Sequence, residues 1–319
     1  MRAIRGAILQ LNMTPRQLVA GYFAVQAAGV AAWWGMLFAA PATAAWFQPA
    51  GWPRQALIGF WLADGLLVVV GSAVAALAVA RGWSAAYVIV YSVSACVGYA
   101  ALYCLGVSIA TDQAWIASAM MASMAGLSLA MAAILGAPAH GPATIRVVPM
   151  SRRAAALRTF AQTVVFWSVF LWILPKGIVE LQQRVGWPPF EHAGQTPGAT
   201  ILFGLASLLG LWSAATMALR GEGTPLPTAT APKLVVTGPY RWVRNPMAAA
   251  GIVQGLAVGW LLGSVWVMGG AIAGAFVWHG WVRPTEEADL AARFGESFER
   301  YRKRVPLWAP RLRTPAGDS

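Results

Sequence analysis

Two short runs of the chain carry residue types that could act together chemically. The first, GPYRWVRNPM at 238–247, supplies Arg241, Arg244 and Asn245; the second opens at Arg283 and supplies Glu286 and Glu287. The apolar stretch between them, about 248–281, is too long for one ordinary span of roughly 20 residues. Gly263 and Ser264 sit near its middle, so it reads as a tight hairpin of two short helices. A hairpin returns both ends to one membrane face, which brings Arg241, Arg244 and Asn245 towards Arg283, Glu286 and Glu287. Cations and an amide facing two carboxylates beside an apolar wall would suit a zwitterionic ligand with an apolar body. His279 lies one helical turn before Arg283 and is the titrating base expected nearby.

The elements that must position these residues are membrane helices. The chain has 319 residues, 58% of them hydrophobic and 11% charged, against about 25% charged in a soluble globular protein. That shortage excludes a soluble multidomain enzyme, a disordered chain and a coiled coil. A mean hydropathy of +0.59 with 17 Trp and 33 Gly points to an all-α, polytopic integral membrane protein. Six stretches have spanning length, at about 19–40, 55–80, 84–108, 113–137, 160–180 and 200–219, and the hairpin brings the expected number to eight. With the N-terminus inside, 20 of the 23 Lys and Arg fall on the cytoplasmic side, leaving Arg54, Lys176 and Arg184 outside. The positive-inside rule therefore places both termini in the cytoplasm, in the plasma membrane if the source is bacterial. The net charge of +12 reads as orientation and headgroup attraction, with no nucleic-acid partner. The first apolar run is too long for a signal-peptide core and reads as a retained helix.

The chain divides into an N-terminal four-helix region of open role at 1–140, a basic linker at 141–158 and a C-terminal region at 159–319. The N-terminal region offers one ionisable residue at membrane depth, Asp64, expected to hydrogen-bond to Tyr91, Ser94 or Tyr99. Cys96 and Cys104 share a helix face and read as packing residues. No metal site is expected. The tail reads as one helix over about 285–303, with Thr285 as N-cap and Glu286, Glu287 and Asp289 in its first turn. Leu290, Phe294, Phe298 and Tyr301 form its apolar stripe, and Arg293 and Glu296 lie on other faces. That pattern suits an interfacial helix resting on membrane lipids.

GPYRWVRNPM, a hydrophobic hairpin and EEADLAARFGESFERYRKRVPLWAP, in that order, resemble the isoprenylcysteine carboxyl methyltransferase family, a relative of the phospholipid methyltransferases. Arg244 and Pro246 hold the family's positions, while Asn245 stands for its His, Ala248 for its Tyr and Ala250 for its Gly. The resemblance implies an integral-membrane enzyme using S-adenosylmethionine. It implies that Gly238, Pro239 and Tyr240 close over the cofactor, that Arg244, Asn245 and Pro246 line its pocket, and that Glu286 and Glu287 hold its amino group or ribose hydroxyls. Tyr301, Arg304, Val305 and Pro306 would pack the tail back as a lid. Arg241, Arg283 or Arg304 would bind an anionic acceptor or the cofactor carboxylate, and His279 would be the base. The methyl acceptor stays open among a prenylated cysteine carboxylate, a phospholipid amine, a small thiol and a carotenoid- or quinone-like lipid. A homodimer is compatible with this reading. The alternatives are an NADPH-dependent membrane reductase and a transporter or scaffold using Asp64.

Overall fold

The computed structural model describes residues 14–136, 152–221 and 233–308; the basic linker and the Pro/Thr-rich loop lie mostly outside them. Among the described residues every regular element is helical, as the bilayer requires where backbone polar groups must be satisfied within their own segment. Six helices among the described residues are long and apolar enough to cross a membrane: α1 Pro15–Ala39, α2 Arg54–Arg81, α3 Ala86–Thr111, α4 Trp115–Leu135, α5 Leu157–Arg184 and α6 Gln195–Arg220. The hairpin adds two shorter ones, α7 Pro246–Leu261 and α8 Val265–Val277.

The described residues form two compact units. One holds 14–136 with 172–187; the other holds 152–171, 188–221 and 233–308, so α5 contributes to both. In the first unit, α1 starts at a capping box in which Thr14 Oγ1 accepts from Gln17 N (3.2 Å) while Gln17 Oε1 accepts from Thr14 N (2.6 Å). A buried polar relay then ties three helices: Gln26 bonds Ser72 (3.0 Å) and Ser128 (2.8 Å), and Tyr22 reaches Ser128 (3.0 Å). The first backbone N–H groups of α4, Trp115 and Ile116, donate to the Glu180 carboxylate, an anion placed where the helix dipole favours it. At the same end Lys176 pairs with Asp112 at 2.8 Å.

α2 departs from the uninterrupted helix expected over 55–80, because Asp64–Val70 winds as a π-type turn. Asp64 accepts from Trp34 Nε1 of α1 at 3.3 Å. The expected partners on α3 were Tyr91, Ser94 and Tyr99, but the Ser94 hydroxyl returns to its own helix at Val90 O (2.8 Å).

In the second unit, α6 and α7 run antiparallel through small residues. Gly210 faces Ala250, and the Gln254 amide donates to Ser207 at 3.0 Å. α7 and α8 pack as closely, Gly259 against Met268 and Gly255 against Ala271. The hairpin turns at Gly263 (φ +62°), whose carbonyl accepts from Phe190 N at 2.9 Å, and restarts at Ser264, which caps Val267 N.

The tail differs from the single helix expected over 285–303. α8 continues through a wide turn at Trp278–Val282 into α9, Arg283–Phe294. Thr285 therefore lies inside a helix already under way and is not its N-cap. Pro284 lacks the N–H of a regular turn, and the widened turn directly before it gives its ring room. Gly295 (φ +50°) ends α9, and α10, Glu296–Arg304, follows at once. Asp289 is buried, within 3.2 Å of Arg293, whose side chain is only 9% exposed. Asp289 was expected in the first turn of the tail helix and Arg293 on a face away from its apolar stripe.

The turn generates a stability prediction. Gly263 needs a left-handed backbone, and a Cβ there would collide with Phe190 O. Gly263→Ala should lower the Tm of detergent-solubilised protein by about 4–8 °C, whereas Gly204→Ala in open space on α6 should leave it unchanged or slightly raised.

Candidate functional site

The site is built by the return of the hairpin. Asn245 precedes α7 as its N-cap, its Oδ1 accepting from Ala248 N at 3.1 Å, while Pro246 takes the first helical position, where an N–H has no partner anyway. The free end of the amide points across the hairpin mouth, Nδ2 donating to Glu286 Oε2 at 3.2 Å. Beside it Arg244 Nη1 lies 2.9 Å from Glu287 Oε1, and Arg283 Nη1 lies 3.3 Å from Glu287 Oε2, with all three side chains at most a quarter exposed. The expected meeting of the two runs is thus found for Arg244, Asn245, Arg283, Glu286 and Glu287.

The two carboxylates are not equivalent. Glu287 has two guanidinium neighbours. Burial pushes the Glu286 carboxyl up to about 7; the charge of Glu287 adds to the rise and the Asn245 bond opposes it. Burial also raises the phenols of Tyr240 and Tyr301, which stay neutral donors.

The tail closes over these groups. Tyr301 Oη donates to Tyr240 O at 2.7 Å, Arg244 N to Pro306 O at 3.0 Å, and Trp308 Nε1 to His279 Nδ1 at 3.3 Å. What stays open beneath is a cavity of about 40 Å³ lined by Arg244, Asn245, Arg283, Glu286, Glu287 and Tyr301, with Trp278, Leu290, Phe298 and Leu307 as its apolar wall. Arg244 Nε is buried beside it without a hydrogen-bond partner, while Arg244 Nη1 and Glu287 Oε1 are each other's ion partner at 2.9 Å. Two guanidinium groups and two carboxylates on one lining fit the amino-acid end of S-adenosylmethionine, whose carboxylate and ammonium would use both. Its nucleoside needs more room than about 40 Å³, and the segment from Tyr301 to Trp308 would have to lift to provide it.

Other expected residues stand elsewhere. His279 is exposed, stacked on Trp308, and outside the cavity lining; Glu286 is the group with a near-neutral titration there. Arg241 lies over the Trp242 ring at 4.2 Å, and Arg304 is exposed at the end of α10. Gly238, Pro239 and Tyr240 form a buried turn against Thr216, with Gly238 at φ +60° and too close to Thr216 for a Cβ; here Tyr240 offers its carbonyl to the tail. Pro246 is buried in packing. Sequence reasoning missed Trp278 and Leu307, which carry no polar signal, and treated Leu290 and Phe298 only as a membrane-facing stripe.

Glu286 generates a pH prediction. Its folded value of about 7 lies above the ordinary 4.5, so the native state holds a proton that the unfolded chain releases. The associated stability is fully present below about pH 4.5 and is lost as pH rises through about 7. Thermal unfolding from pH 4.5 to 8 should show this decline, and Glu286→Gln should flatten it.

No curated protein and no solved structure matches the chain. A family comparison does match its C-terminal region, across α6, the hairpin and α9. Residues 196–297 fit the phospholipid methyltransferase family model, which supports a membrane methyltransferase related to that family.

Proposed function

We propose that the chain is an S-adenosylmethionine-dependent methyltransferase acting at the cytoplasmic face of the membrane on a lipophilic or small acceptor bearing a carboxylate, thiol or amine. The observation that carries this reading is the gathering of two guanidinium groups and two carboxylates, Arg244, Arg283, Glu286 and Glu287, at the mouth of an apolar hairpin inside the matched region. Arg244 and Arg283 would bind the cofactor carboxylate, and Glu286 and Glu287 its ammonium. Bound there, the cofactor supplies an electrophilic methyl on a sulfonium, and transfer is an in-line displacement that depends chiefly on alignment.

The residues perform that alignment in a place of low dielectric, where fixed charges act strongly. Asn245 holds Glu286 through Nδ2 while its Oδ1 is committed to α7, so the amide positions and does not move protons. Tyr301 and the backbone of Pro306 tie the tail across the mouth and exclude water. An acceptor dissolved in membrane lipids would reach the hairpin from the bilayer.

Isothermal titration of the detergent-purified chain separates this from the reductase reading. S-adenosylhomocysteine should bind and NADPH should not; binding of NADPH alone overturns the proposal. Arg244→Ala and Glu287→Gln should each weaken S-adenosylhomocysteine at least tenfold, whereas Arg241→Ala, on the Trp242 ring, should leave it unchanged. Wild-type affinity in both first variants would remove the site assignment. Below pH 7 the affinity should fall by up to tenfold per unit as Glu286 takes up its proton, and this slope should vanish in Glu286→Gln.

A further inference from the structure

The tail does not stop where α10 does. Val305 follows Arg304 in an extended conformation (φ −105°, ψ 123°), and the chain runs on as a non-helical strap to Trp308. The start of the strap is anchored: Val305 is buried, and its N–H donates to Tyr301 O at 2.9 Å. Leu307 then forms part of the cavity wall, beside Arg244 and the two carboxylates. Between them Pro306 O accepts from Arg244 N, so the backbone of a site residue registers whether the strap is seated.

What seats the other end is an aromatic clasp. The Trp308 ring meets Trp278 edge-on, with centroids 5.1 Å apart and planes at 71°, and stacks on the His279 ring at 5.9 Å and 26°. Its Nε1–H donates to His279 Nδ1 at 3.3 Å. Both partners come from the widened turn Trp278–Val282 that links α8 to α9. Trp278 is also part of the cavity wall, whereas His279 and Trp308 stand outside it. Trp308 remains 37% exposed, so the clasp rests on few contacts and can open without unpacking the core. An aromatic pair shifts such an equilibrium by about two- to tenfold, and a neutral hydrogen bond by about fivefold.

We infer that Val305–Trp308 is an autoinhibitory strap. Trp308, clasped by Trp278 and His279, keeps Leu307 on a cavity too small for the cofactor, and release of the clasp begins the lifting that admits it. The part that concerns the cofactor rests on the methyl-transfer reading; the seating of the strap by Trp308 does not.

The test is hydrogen exchange of the full chain in nanodiscs, first without any cofactor. Exchange at the Arg244 amide, resolved by fragmentation of peptides covering 238–247, reads whether Pro306 is seated. It should rise at least tenfold in Trp308→Ala. In His279→Phe, which keeps a ring against Trp308 but offers no acceptor, it should rise about fivefold. The Phe190 amide, bonded to Gly263 O at the other end of the hairpin, should exchange at the wild-type rate in both. Unchanged exchange at Arg244 in Trp308→Ala overturns the inference, and so does an equal rise at Phe190, which would make Trp308 a support of the whole fold. Titration with S-adenosylhomocysteine comes second. Apparent affinity scales with the open population, so Trp308→Ala should bind it at least fivefold more tightly than wild type; equal or weaker binding overturns autoinhibition. Where neither protein binds S-adenosylhomocysteine, a rise confined to Arg244 still establishes the strap, and the methyl-transfer reading is what fails.

Discussion

Glu286 and Glu287 are adjacent on α9, both poorly exposed, at the edge of a helical hairpin that is otherwise almost free of charge. Burial disfavours the ionisation of Glu286, and the charge of Glu287 adds to the effect. The chain resolves this unevenly. Arg244 and Arg283 give Glu287 its counter-charge, while Glu286 receives only an amide and keeps its proton up to about pH 7. A buried carboxyl pushed up to about 7 beside an ion-paired neighbour is an arrangement met at functional sites. It exists only because residues some forty positions apart are folded back onto one another, so the hairpin is the condition for the site.

The hairpin in turn depends on residues with little or no side chain. α7 and α8 lie close because Gly255 and Gly259 leave space for Ala271 and Met268, and without a hydrophobic drive between helices in lipid such contact must come from packing. The same economy explains why Ala250 can stand where the resembling family has glycine. It faces Gly210 on α6, with an added Cβ at Gly210 only 3.4 Å away, so the small residue is supplied from the other side. Asn245 in place of the family's His likewise has a structural consequence. A side-chain oxygen at that position caps α7, which an imidazole does less readily, and the remaining N–H groups fix Glu286.

Much of this was legible in the sequence, and the part that was not has a physical cause. The long spans, the hairpin turn at Gly263–Ser264 and the meeting of Arg244 and Asn245 with the Glu pair follow from hydropathy, breaker residues and the geometry of return. The start of the tail helix was misplaced because Thr285 with three acids behind it has the composition of a helix N-terminus, yet a continuing helix with a widened turn accommodates Pro284 equally well. His279 was singled out for its place one turn before Arg283, but it is exposed, stacked on Trp308 and outside the cavity lining. Arg241, Asp289 and Arg293 show the same limit: charge is visible in a sequence, whereas the choice between an aromatic face, a buried pair and a ligand is made by neighbours from other elements. The wide turn at Asp64–Val70 leaves no compositional trace at all.

The buried polar atoms of the first unit sharpen the distinction between structure and site. Gln26 is deep in the four-helix unit, and its amide is answered on both sides, by Ser72 and Ser128, with Tyr22 completing the relay. Ser108 and Ser118 answer each other between α3 and α4 at 2.8 Å. Where polar groups serve only to join helices, this chain pairs them, as the cost of leaving them open in an apolar medium demands. Among the described residues Trp33 Nε1, Gln48 Oε1, Arg54 Nε, Thr159 Oγ1 and Arg244 Nε depart from that practice. Of these, Arg244 Nε is the one that stands at the hairpin mouth inside the region of the family match, beside the two carboxylates.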